Sequence, residues 1–268
     1  MTGPDKHSHA IKAGLELPWW LSAAMNPVNE DFSERVVSLP QYSLWRATEV
    51  DGIHLRVLEY IPGTKPRLTA QLRLDPEYSP AMLGDNPDLE ILMQRGELES
   101  DAGVYPAGLY LRLPLTGDEQ LQTLNLRCLP AESDTSASNE NAKEPALLYL
   151  AAGQMLNSDA EQRRMNTFDE SRWLPGPADG TEVMPLHGHG TGNVMLIRWT
   201  QRASFRPGLD PMGDEVLVLN GVLYDDDGDY PAGSWIRNPV EAWQSWGAEA
   251  GTVVYYKNGH FPTQNDFL

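Results

Sequence analysis

Short apolar runs separated by Gly, Pro and Asp recur along most of the chain. RLTAQLRL, LEILMQRGEL, GLYLRLP and QTLNLRCL alternate or run apolar in the first half. VMLIRW, EVLVLNGVLY, SWIRNP and GTVVYYK do the same in the second. Period-two alternation over short segments with regular turn signals predicts strands of a sandwich or barrel. Long helical periodicity is missing, and short turns are expected only near residues 18–25 and 158–165. ALLYLA, from residue 146, reads as one more strand, able to complete the first unit or to cross to the second.

The pattern repeats. GVYPAGLYLRLP at 103–114 returns as GDYPAGSWIRNP at 228–239, so Tyr105 and Tyr230 stand 125 positions apart. At that offset Arg73 falls on Arg198, Glu90 on Glu215, Gly96 on Gly221, Gly108 on Gly233 and Arg112 on Arg237. A shift of three residues upstream aligns Trp45, Asp51 and Gly52 with Trp173, Asp179 and Gly180. A period this long means two copies of a whole domain rather than a solenoid. The shared phrase reads as architecture. Asp-Gly in YDDDGDY predicts a hairpin, since Gly accepts positive φ. Proline sets the next turn, and Gly233 lets the chain reverse. The divisions expected are an extension at 1–35, a first domain at 36–129, a polar linker at 130–145 (PAESDTSASNENAKEP) and a second domain at 146–268 with ALLYLA as its leading strand.

Composition narrows the function classes. Hydrophobic residues at 41% and charged residues at 22% describe a folded chain of 268 residues, long enough for two cores. A formal net charge of -18 repels phosphate backbones and anionic lipid, so neither nucleic acid nor a membrane surface is an expected partner. No apolar run is long enough to span a bilayer. The N-terminus lacks the basic-then-apolar order of a secretory signal, so a cytoplasmic location is expected. Cys128 is the lone cysteine, which excludes an internal disulfide.

A strand ending at Gly221, an acidic turn and then Y-P-A-G-S-W-x-R-N-P resembles the cupin domain of the ChrR type, the C-terminal domain of a family of zinc-containing anti-sigma factors. The resemblance covers roughly residues 160–260 and, through the repeat, 40–125 more weakly. It implies an all-β fold of two tandem cupin barrels, each a jelly roll or double-stranded β-helix. It also implies a metal held by a His-x-His pair, a Glu and a further His. Carried over, these positions fall on Gly208, Asp210, Asp214 and Gln244 in the second copy, and on Leu83, Asp85, Leu89 and Glu119 in the first. No family histidine remains at any of them. Residues 1–40 are too short for the family's helical zinc domain and hold no Cys, so anti-sigma activity is not expected.

The leading reading is therefore a small-molecule-binding or sensory module without the family zinc site. Its ligand would be gripped by Asp210, Asp214, Gln244 and the flanking Trp243 and Trp246, with no cofactor expected. The alternative is a metal-dependent cupin enzyme of dioxygenase or isomerase type, with a divalent cation on Asp210, Asp214 and Gln244. A third reading is an assembly role, with a homodimer as the expected partner. His187 and His189 in LHGHG are spaced as a metal pair would be on a strand, but the Gly-rich segment reads as a loop. His260 lies near the chain end. Glu90 and Glu215 sit one residue past the family's Glu position, so pleating turns them to the opposite face. Repeated Arg–Glu pairs bracing each barrel are the economical account of the recurring Arg and Glu residues. No Ser/His/Asp order or phosphate loop is present, and nucleophilic catalysis has no candidate.

Overall fold

The computed structural model describes residues 26–261, apart from 49, 64–65, 77–80, 87, 101–102, 115–121, 129–144, 207–212, 241 and 243–244, and describes 81–86 and 122–128 by their backbone. The polar linker at 130–145 lies almost wholly outside the described residues, as does most of the 1–35 extension.

The first half carries β1 (Val36–Ser38), β2 (Arg46–Ala47), β3 (Ile53–Ile61), β4 (Arg67–Leu74), β5 (Ala81–Asn86), β6 (Leu89–Arg95), β7 (Glu97–Ser100), β8 (Gly103–Pro106), β9 (Leu109–Leu113), β10 (Gln122–Cys128) and β11 (Ala146–Ala152). The second carries β12 (Arg163–Asn166), β13 (Leu174–Pro175), β14 (Thr181–His189), β15 (Gly192–Trp199), β16 (Ala203–Phe205), β17 (Asp214–Asn220), β18 (Val222–Tyr224), β19 (Asp229–Pro231), β20 (Trp235–Asn238), β21 (Trp246–Ala248) and β22 (Val253–Asn258). The only helical pieces among the described residues are two 3-10 turns, Pro40–Tyr42 and Glu170–Arg172. The turn expected near 158–165 gives way to strand β12, and LHGHG is not a loop but the end of β14.

Each half pairs a seven-stranded with a four-stranded antiparallel sheet in matching order. β12-β9-β6-β11-β4-β3-β2 answers to β1-β20-β17-β22-β15-β14-β13, and β5-β10-β7-β8 answers to β16-β21-β18-β19. β11 thus corresponds to β22. The strand grouped by sequence with the second unit lies instead in the first sheet, between β4 and β6. The arms are exchanged. β1 precedes the first unit yet pairs with β20 of the second, and β12 precedes the second unit yet pairs with β9 of the first.

Three apolar clusters follow from strand pleating. Ile91 and Met93 of β6 face a core inside the first barrel. Val216 and Val218 of β17 face one inside the second. Leu92, Tyr110, Tyr149, Leu196, Leu217, Trp235 and Tyr255 meet in a third cluster between the two large sheets, which pack back to back. Strands buried on both faces explain the near-continuous apolar runs such as LEILM.

The repeated phrase is architectural, as expected. Gly108 and Gly233 both adopt left-handed backbone, φ 79° and 88°, at the corner leading into β9 and β20. The acidic turn also forms a hairpin, β18 with β19. Its closure comes from Asp225 rather than from a left-handed glycine: its Oδ1 accepts from the Asp227 and Gly228 amides and from Tyr230 Oη.

Candidate ligand cleft between the barrels

The sequence-predicted residues scatter. Asp214 begins β17 on the same face as Val216, and its Oδ1 accepts from Asn238 Nδ2 at 2.7 Å. Asp210, Trp243 and Gln244 lie outside the described residues. Trp246 lines no open mouth. It is buried in the second core, edge-on to Phe205 and Tyr256. Among the described residues, no group of three or more His, Cys, Asp and Glu is arranged to hold a metal ion. His187 and His189 meet neighbouring side chains: Nε2 of His187 donates to Asp159 Oδ2 at 2.7 Å, and Nε2 of His189 lies 3.2 Å from Ser158 Oγ.

The polar residues that do converge lie between the barrels. Glu90 and Glu215 face away from the barrel interiors, as pleating requires, and meet donors from both halves. Glu90 accepts from Tyr110 Oη at 3.0 Å, from Tyr255 Oη and from Lys257 Nζ at 2.8 Å. Glu215 accepts from Trp235 Nε1 and Tyr149 Oη, both at 2.6 Å, and from His260 Nε2 at 3.1 Å. The rings of Tyr149 and Tyr255 stand 4.9 Å apart at the centre. Burying a carboxylate costs several kcal/mol unless donors replace its water, and here three donors surround each one. Burial alone would raise the Glu90 carboxyl. Lys257, with the hydrogen bonds from it and both tyrosines, outweighs burial and holds the group below the ordinary carboxylate range. Burial and the neighbouring glutamates push the Tyr149 and Tyr255 hydroxyls well up, so both remain protonated donors. His260 is no loose terminal residue: burial, then the charges of Lys257 and Arg67, press it well below its usual pKa, and it is neutral.

The recurring arginines do not pair with these glutamates, although Arg112 and Arg237 stand opposite them in the ladder. Arg237 donates to Glu59 of β3 at 2.7 Å, both side chains being fully buried. Arg112 donates to Asp159 at 2.5 Å, in the segment leading to β12. Arg73 and Arg198 lie over Trp45 and Trp173, at 5.5 Å and 4.2 Å. That cation–π contact is what the repeat preserves there.

Beside Asp159 a cleft of about 50 Å³ opens, lined among others by Arg112, Gln154, Asp159, His187, His189 and Gly192. This is room for a few waters or one small polar group. Burial would raise Asp159, but the His187 hydrogen bond and the Arg112 charge prevail and keep it ionised at lower pH than usual. Nδ1 of His187 is buried without a hydrogen-bond partner, its closest carboxylate being Glu161 at 3.6 Å. A buried polar atom without a protein partner ordinarily meets an ordered water or an ion. Sequence reading singled out His187 and His189 but missed Arg112 and Asp159 as their partners, because Asp159 lies outside the matched repeat.

Among the described residues, no helix is long and apolar enough to cross a membrane. No curated protein sequence matches the chain significantly. Among solved structures, one named as a "putative dioxygenase" from Nostoc punctiforme is 13% identical with a TM-score of 0.59, over 85% of this chain and 83% of its own. A bacterial pirin from Escherichia coli, solved in complex with nickel(II), is 11% identical with a TM-score of 0.55, over 84% and 98%. The 11S allergen of Cocos nucifera is 8% identical with a TM-score of 0.51, over 85% and 90%. At these identities the likeness is one of fold. Residues 161–262 match the family model of the ChrR cupin-like domain. That match falls on the second of the two barrels, and the whole has the all-β fold of two tandem cupin barrels.

Proposed function

We propose that the protein is a small-molecule-binding module, with the cleft between the barrels as its site. The observation that carries this reading is the cleft itself. Arg112, Asp159, His187 and His189 arrive from three separate segments to line one open space. The scaffold would then serve as a rigid frame, with recognition moved from the barrel interior to the junction. The enzyme alternative rests on Asp214 together with Asp210 and Gln244, and Asp214 already accepts a hydrogen bond from Asn238. The test is a thermal-shift screen of small polar metabolites against wild type and His187→Ala. At least one compound is expected to raise the wild-type Tm in a concentration-dependent way and to lose its effect in the variant. Stabilising compounds that act equally on both proteins would remove the cleft from consideration.

A further inference from the structure

The two copies offer an internal comparison at the cleft. β3 pairs with β4 so that Ile61 faces Arg67, and β14 pairs with β15 so that His189 faces Gly192. These are the same final rungs of the same hairpin, so Gly192 stands where the first copy has Arg67. By the same register His187 stands where the first copy has Glu59. The arms correspond as well. Val36 pairs with Arg237 and Arg163 with Arg112, which places Asp159 at the position of Phe32.

On the first copy's side the space is filled from within. The Arg67 guanidinium donates to Glu59 at 2.5 Å and to the His260 carbonyl at 2.7 Å, and lies 5.3 Å from the Phe32 ring centre. On the second copy's side the position has no side chain, and the cleft is the space left next to it. Its walls still suit a guanidinium. Asp159, which lines the cleft, is ionised, and the neighbouring His187 ring keeps a buried Nδ1 without a hydrogen bond.

We propose that the cleft binds a small ligand bearing a cationic N–H donor group of guanidinium or amidinium type, seated where Arg67 sits in the other copy. This rests on the binding reading above and names its ligand class. The group would donate to the Asp159 carboxylate, which lines the cleft at the position that Phe32 takes in the first copy. The planar fork of a guanidinium matches a carboxylate better than an ammonium does.

The experiment titrates methylguanidinium chloride into the full-length protein, following histidine side-chain NMR signals, beside N-methylurea as the neutral isostere and sodium acetate as an anion. Wild type is expected to saturate with methylguanidinium and to bind N-methylurea at least about tenfold more weakly. Gly192→Arg supplies the group internally and is expected to weaken methylguanidinium about tenfold or more, whereas Gly192→Ala retains binding. A Cβ at Gly192 meets three backbone oxygens at 3.3–3.4 Å, so the alanine variant also reports any strain of substitution. Adding His187→Glu to Gly192→Arg recreates the Arg67–Glu59 pair and is expected to raise Tm above that of Gly192→Arg alone. If N-methylurea or acetate binds as tightly as methylguanidinium, and Gly192→Arg abolishes it, the cationic class is wrong while the binding reading stands. If no probe perturbs His187 in wild type, the ligand class is likewise overturned, and the metabolite screen decides the binding reading.

Discussion

The two ends of the inter-barrel junction have the same strands, register and arms but different contents. At one end Arg237, Arg67 and Glu59 form a closed cluster beneath Phe32, whose ring lies 4.4 Å from the Arg237 guanidinium. At the other, Asp159 joins Arg112 and His187 beside an open cleft. The difference teaches that one backbone can carry either a sealed structural ion cluster or an accessible polar site. Which one results depends on a few substitutions such as Arg67 against Gly192.

The comparison can be broken most severely at the closed end. Arg237→Ala leaves Glu59 fully buried with half its charge partners gone, and a buried pair broken on one side costs about 3–5 kcal/mol. Arg112→Ala is expected to cost less, because Asp159 keeps His187 and lines an open cleft that water can enter. Chemical denaturation of both variants checks the order, and equal losses would contradict it.

A pH titration sharpens the contrast. His260 faces Glu215, Lys257, Arg67, Glu59 and Glu90, and its folded pKa is depressed. Its contribution is therefore complete above the unfolded histidine value near 6.5 and is lost as pH falls below it, by at most about 1.4 kcal/mol per pH unit. The corresponding residue after β11 is Gln154, which does not titrate. His260→Gln should accordingly flatten the fall in Tm between about pH 6.5 and 5. An unchanged slope would show that other groups govern it.

The smallest effect lies at the paired corners. Gly108→Ala and Gly233→Ala each force a left-handed alanine, at roughly 1–2 kcal/mol. The new methyl at 233 meets Pro40 at 3.3 Å, whereas at 108 it meets the Phe168 ring at 2.8 Å. Phe168 is largely exposed and free to move aside, so the two losses measured by thermal unfolding should agree within about 0.5 kcal/mol.

The fold was legible because the repeat preserves what the backbone needs. Gly108 and Gly233, Trp45 with Arg73, and Trp173 with Arg198 all recur. Strand β11 was harder to place because the 125-residue offset ends before it: Tyr149 answers to Tyr255 at a different spacing, across the 130–145 stretch. The cleft was largely hidden for a deeper reason. Recurrence draws attention to identities, whereas this site is made of departures, Gly192 for Arg67 and His187 for Glu59. Trp246, read from its neighbourhood as a pocket residue, belongs to the core because pleating turns it inward beside Tyr256.

The exchanged arms carry a historical consequence. Two separate one-unit chains that traded their β1 segments would form a symmetric dimer with this same arrangement of sheets. In such a dimer every mutation appears at both ends at once, so a sealed end and an open end are mutually exclusive. Joining the units in tandem removes that constraint. One end then remains the fastener of the pair while the other drifts toward chemistry, and the asymmetry between Arg67 and Gly192 is the trace such a release would leave.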